Sequence, residues 1–173
     1  MKLLATIKSI DVNSKAKSLD YDNFTPRIAA RAVLLEDKKV ALIYVSAHNY
    51  YMLPGGGIDG GDFETGLKRE VKEEVGCEIE ILDEIGCTKL YFDRWRKIQT
   101  DYCYLAKVIS RGDNLSPTDF ELLESHKIFW ADTIDQAINL VKNANPIEDD
   151  GKIVRARDLL ILETVKTRLL TRL

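Results

Sequence analysis

Residues 53–77, LPGGGIDGGDFETGLKREVKEEVGC, constrain this chain more than any other stretch. Five glycines fall between Pro54 and Gly61, which excludes a helix there and predicts an irregular loop. Asp62 then offers an N-cap and Gly76 a C-terminal stop, predicting a helix over Phe63–Val75. With Glu70 at 0° on a wheel of about 100° per residue, Glu74 falls at roughly 40° and Glu73 at roughly 300°. Leu67, Val71 and Val75 occupy the adjacent flank, from roughly 60° to 140°, and Lys72 lies on the far side. One flank of the helix packs, and its neighbour presents clustered carboxylates.

Such a cluster is costly, because like charges at i,i+3 and i,i+4 repel by a few tenths of a kcal/mol each when exposed. Arg69, beside Glu73 on the wheel, neutralises part of it, and a divalent cation would neutralise the rest. Taken alone, Glu70, Glu73 and Glu74 are also what an ordinary solvated helix face looks like, and glycines alone can be an ordinary turn. Together they are more specific. Gly55, Gly56 and Gly57 let the backbone approach a ligand closely, and a carboxylate helix follows, so the pair forms a candidate pyrophosphate–metal cradle.

Around this segment the pattern alternates between strands and helices. Met1–Ile10 reads as an edge strand and Asp11–Pro26 as a polar loop. Arg27–Leu35 and Lys39–Ser46 read as a hairpin around Glu36-Asp37-Lys38. Glu78–Tyr91, Lys97–Ile109 and Lys127–Ala131 read as further strands, with a polar loop over Ser110–Glu124. Thr133 and Gln136 form a capping box for a helix to about Asn143, which Asn145-Pro146 ends. Val154, Leu162, Val165 and Leu169 give helical spacing from Ile153 onward. Helices packed on a mixed sheet, an α/β fold, are expected.

The rest of the composition excludes other classes. The 173 residues suit one domain, expected to span 1–173. No apolar run approaches the roughly 18–20 residues of a membrane span, and MKLLATIKSIDVNSK reads as a strand and not a signal peptide, having no small-residue cleavage site. A net charge of −3 disfavours a broad nucleic-acid surface. Cys77, Cys87 and Cys103 form no CxxC pair and read as small buried hydrophobes, which fits a reducing cytoplasm. With only His48 and His126, expected at the surface or rim, any metal must be held mainly by oxygen.

At this point the segment resembles the Nudix box, G-x5-E-x7-R-E-U-x-E-E-x-G-U with U apolar. Arg69-Glu70-Val71-Lys72-Glu73-Glu74-Val75-Gly76-Cys77 matches it position by position, with Cys77 a less usual last residue. Its five fixed residues arise by chance on the order of 10⁻⁴ times per chain. The first half departs. If Gly56 is the box glycine, Asp62 stands where glutamate is usual and one residue is missing before Arg69. Counting back from Arg69 without a gap instead puts Gly61 at the glutamate position and Gly55 at the glycine. The first alignment is preferred because PGGGIDGGD resembles the usual PGGGIExGE. Gly66 stands where alanine is common and costs the helix about 1 kcal/mol.

The resemblance implies a Nudix fold, an α/β/α sandwich with a mixed sheet, and a MutT-like hydrolase. It implies Mg²⁺- or Mn²⁺-dependent attack of water on phosphorus in a nucleoside diphosphate linked to another moiety. It points to Glu70 and Glu74 as metal ligands, Glu73 close behind, and the Gly55 carbonyl as a further ligand. Arg69 would orient the carboxylates. The base would be a box glutamate such as Glu73 or a later carboxylate, Glu121 or Glu124, both of which also read as plain surface. Tyr50, Tyr51, Phe92 and Trp95 read as core or rim aromatics, and Arg27, Arg31, Arg94 and Arg96 as solvated strand-end arginines. Arg157-Asp158 reads as an ion pair on the last helix. A small nucleotide is the expected partner, with no membrane partner; Nudix domains often dimerise, so a homodimer stays open. The alternative reading is a catalytically weak Nudix-fold module that binds a nucleotide.

Overall fold

The computed structural model describes residues 1–112 and 125–171. Its elements run β1 (Leu3–Ile7), α1 (Ser9–Val12), β2 (Thr25–Glu36), β3 (Lys39–Val45), β4 (Tyr50–Met52), α2 (Phe63–Val75), β5 (Cys77–Phe92), β6 (Lys97–Arg111), β7 (His126–Ala131), α3 (Ile134–Asn143) and α4 (Asp149–Thr171). A 3-10 turn, Asp93–Trp95, joins β5 to β6. The bounds of α2 are those that its caps predict. Asp62 accepts the Thr65 N–H at 3.1 Å, and Gly76 closes the helix in the left-handed region at φ 72°. Thr133 caps α3 likewise, accepting the Gln136 N–H at 3.1 Å. The Gln136 side chain returns to the N–H of Asp132, one residue before the cap, so the expected capping box is only half made.

The described strands form one mixed sheet in the order β1-β5-β6-β2-β3-β4, with β7 also paired to β3. β1 runs parallel to β5 and β2 parallel to β6. Period-two alternation assigns the faces. Ala30, Ala32, Leu34, Tyr104 and Ala106 pack with Leu67, Val71 and Val75 of α2. Val33, Cys103 and Leu105 pack with Ala137 and Val141 of α3 and Ile161, Leu162 and Val165 of α4. The result is the expected α/β/α sandwich. Leu67 and Val71 are wholly buried and Val75 nearly so; each such side chain stabilises by about 1.5–3 kcal/mol, and these three fix which flank of α2 faces outward.

Several expectations change. The first strand ends at Ile7 and not Ile10, because Lys8 is the N-cap of the short α1, its N–H donating to Asp11 at 2.8 Å. The three-residue β4 was too short to show alternation in sequence. The last helix starts at Asp149 and not Ile153, with two aspartates at its positive end. Cys77 and Cys103 are buried as expected, but Cys87 is only half-buried. Most consequential, the glycine loop is not wholly irregular. Ala30 N–H donates to Gly56 O, Ala32 N–H to Pro54 O and Ile58 N–H to Ile28 O, each at 3.0 Å. The loop therefore runs strand-like along β2, beside the α2 carboxylates. Among the described residues no helix is long and apolar enough to cross a membrane.

Candidate active site

The site is built where α2 meets the glycine loop. Glu74 Oε2 accepts the Gly55 N–H at 2.7 Å. A Cβ on Gly56 would stand 1.9 Å from Glu70 Oε2, and one on Gly55 would stand 2.2 Å from Ala30 O. Only glycine fits at either position, since the loop is pinched between β2 and the two carboxylates. Glu70 and Glu74, one helical turn apart, thus stand along consecutive peptides. Glu73 turns to Arg69, with Nη1–Oε2 at 2.9 Å, and Arg69 Nη2 also bonds Glu70 Oε1 at 2.5 Å. Arg69 steers two carboxylates at once. Its side chain is half exposed, so these pairs add little stability.

Burial dominates the charge state of Glu70. It holds the carboxyl above the ordinary glutamate range despite the adjacent Arg69 guanidinium. Arg69 in turn is raised, first by Glu70 and then by Glu73, against its own partial burial. On the loop's other flank, Arg27 Nη1 donates to Gln99 Oε1 at 3.0 Å, and Arg27 Nη2 lies 3.0 Å from where a Gly57 Cβ would be. Burial and then the neighbouring Arg31 lower the Arg27 pKa.

Behind the loop lies a network that the sequence did not announce. Arg31, expected to be solvated, is buried at 8% exposure. Its Nε donates to Asp101 Oδ1 at 3.3 Å and its Nη1 to the Gly55 carbonyl. Asp101 also accepts from Gln99 Nε2 at 2.9 Å and Arg157 Nη1 at 3.3 Å. The Arg157–Asp158 ion pair exists as expected, with Nε–Oδ1 at 2.7 Å, and both partners are wholly buried. Asp158 Oδ2 accepts the Leu53 N–H at 3.0 Å. One signal was available. Gln99 and Asp101 alternate with Cys103 and Leu105, and Arg31 with Val33, so polar residues share an otherwise apolar strand face.

The other expected residues are scattered. Glu121 and Glu124 lie outside the described residues. Tyr50, Tyr51 and Phe92 are half-buried; Tyr51 packs on Tyr44 and Phe129, with ring centroids 4.7 and 5.9 Å away. Trp95 donates from Nε1 to Asp150 at 2.7 Å, with Arg94 over its ring. Arg94 lines a cleft of about 500 Å³ between α1, the 3-10 turn and the start of α4, which no residue of the glycine loop or α2 lines. His48 and His126 are half-buried, as rim positions are. Missed in sequence was the stack of Phe63, the first residue of α2, on Tyr102, at 4.2 Å and 16°.

The donor chemistry fits a hard cation. Among the described residues no three His, Cys, Asp or Glu converge into a closed cage. Glu70 and Glu74 would offer a hard cation such as Mg²⁺ the one or two carboxylates it commonly uses.

Residues 25–150 match the family described as NUDIX domain. The chain belongs to the NUDIX domain family. Solved structures share its fold. A NUDIX hydrolase from Nitrosomonas europaea is 15% identical with a TM-score of 0.62, covering 83% of this chain and 90% of that one. An ADP compounds hydrolase is 20% identical with a TM-score of 0.56, covering 87% of this chain and 76% of that one. An ADP-ribose pyrophosphatase from Streptococcus suis is 20% identical with a TM-score of 0.51, covering 82% and 93%. At such identities the likeness is one of fold. No curated protein matches this sequence. In this NUDIX chain the matched span stops just inside α4, so β1 and most of the last helix flank it.

Proposed function

We propose that this NUDIX protein hydrolyses a phosphorus-containing anhydride, cleaving a nucleoside diphosphate linked to another moiety with Mg²⁺ or Mn²⁺ as cofactor. We read residues 1–173 as one domain, since β1 extends the sheet and α4 covers one face. The observation that carries the reading is the placement of Glu70 and Glu74 along the Gly55–Gly56 backbone. These carboxylates would hold the cation, with the Gly55 carbonyl as a third oxygen. When bound, the cation supplies charge stabilisation to the pyrophosphate oxygens and lowers the cost of ionising water. Arg69 keeps Glu70 and Glu73 in place. Glu73, beside the two ligands, is the box carboxylate available to accept the proton from the attacking water, and Glu121 and Glu124, later in the sequence, are the alternatives. Attack on one phosphorus releases a nucleotide and a phosphorylated remainder.

The test is hydrolysis of a panel with Mg²⁺ and with Mn²⁺, comparing wild type with Glu74→Gln. The panel holds deoxynucleoside triphosphates, ADP-ribose, NADH, nucleotide sugars and dinucleoside polyphosphates. Turnover of at least one substrate, reduced at least about 10²-fold in the mutant, is the expected result. No turnover by wild type, with nucleotide binding still measurable, replaces this reading with that of a binding module.

A further inference from the structure

The Gly55 peptide is held at both ends. Its N–H is taken by Glu74 at 2.7 Å and its carbonyl oxygen by Arg31 Nη1. The carbonyl proposed as a cation ligand is therefore already engaged, by a permanently charged group. Arg31 is not a surface arginine folded over by chance. It is 8% exposed and anchored through Nε to the wholly buried Asp101, which Arg157 and Gln99 hold from behind. The same network reaches the loop a second time, through Asp158 on the Leu53 N–H. The two buried arginines and two buried aspartates balance one another. Asp101 would keep Gln99 and Arg157 as donors if the Arg31 tip turned away.

We propose that Arg31 is a positioning residue that guards the Gly55 carbonyl, so that a divalent cation held by Glu70 and Glu74 must displace the guanidinium to gain that oxygen. The proposal rests on the cation reading above. A carbonyl has a second lone pair, so geometry alone does not forbid sharing. Charge does: a guanidinium and a dication in contact with one oxygen repel, and in a partly buried site neither water nor salt screens them well. The planar guanidinium swings as one unit, so leaving the carbonyl also loosens the Nε contact with Asp101, which keeps Gln99 and Arg157 as donors. By linkage, whatever the cation loses to Arg31, Arg31 loses to the cation.

Mn²⁺ affinity measured by calorimetry and by electron paramagnetic resonance of free Mn²⁺ tests this without turnover. Arg31→Met keeps the aliphatic stem and removes charge and donors. It is expected to bind Mn²⁺ about tenfold more tightly than wild type. Arg31→Lys keeps the charge and is expected to stay within a few-fold of wild type. Equal or weaker binding by Arg31→Met, in a variant with native circular dichroism, overturns the proposal and leaves Arg31 as a prop for the loop. Should Arg31→Met not fold, the wild type decides. The isotope-labelled Arg31 guanidinium resonance, assigned through Arg31→Lys, is expected to shift as Mg²⁺ is added, and an unchanged resonance at saturating Mg²⁺ overturns the proposal. Glu74→Gln separates the two levels. If wild type shows no Glu74-dependent Mn²⁺ binding, the cation reading fails; if it does and Arg31→Met is unchanged, only the guard fails.

Discussion

At the scale of single residues, the site depends on what is missing from two side chains. Gly56 leaves room for the Glu70 carboxylate, whose Oε2 would be 1.9 Å from a Cβ there. Gly56→Ala is expected to displace that carboxylate while leaving the hydrophobic flank of α2 in place. Misplacing a catalytic group by about 1 Å costs on the order of 10²-fold in rate. A fall of that size in kcat, with native circular dichroism and weakened Mn²⁺ binding, is the expected outcome; an unchanged rate would show that Glu70 is not needed where it stands. Gly66 is a different case. Its would-be Cβ lies 2.5 Å from Ile58 Cδ1, so the mid-helix glycine that weakens α2 in isolation is what lets α2 sit against Ile58. The sequence showed the cost, and only the packing shows the compensation.

At the scale of elements, legibility follows how local the determining interactions are. α2 could be read to the residue because its caps and apolar period lie within it. The parallel pairing of β2 with β6 and the strand-like run of the glycine loop along β2 depend on partners far along the chain, which no local pattern encodes; β4 pairs locally with β3 but has only three residues, too few to show alternation. Asp62, which stands where the box pattern usually has glutamate, is the expected N-cap, exposed and accepting the Thr65 N–H. Its carboxyl is held below the ordinary aspartate value, first by the Thr65 side chain and then by the Thr65 backbone. Asp62→Ala is therefore expected to lower Tm by about 2–4 °C, Asp62→Asn to restore most of it, and neither to change kcat appreciably. Thermal melts alongside turnover check this. A large loss of turnover in Asp62→Asn, which still caps, would give Asp62 a direct part in the chemistry.

At the scale of the molecule, the last helix and the glycine loop are joined through buried charge, and this joint was only half legible. Arg157-Asp158 could be read as an ion pair. That it is wholly buried, and that Asp101 and Arg31 extend it to Gly55, follows from strand faces that one sequence does not orient. The joint carries a pH signature with a definite sign. Burial pushes the Asp101 carboxyl upward, but Arg157, Arg31 and the Gln99 amide outweigh it and hold it below the ordinary aspartate range. A group depressed in the folded state contributes fully above its unfolded value, about 3.9 for aspartate, and loses that contribution as pH falls through the folded value. Asp101→Asn breaks the pairing at every pH and leaves Arg157 and Arg31 short of a partner, which for a buried pair costs about 3–5 kcal/mol. Urea unfolding at neutral pH is expected to show a deficit of that order in the mutant. The deficit should narrow as pH is lowered below about 4, because wild type then loses what the mutant never had. A difference that stays flat down to pH of about 2 would mean that Asp101 does not titrate against its arginines, and the joint between α4 and the glycine loop would have to be held by packing instead.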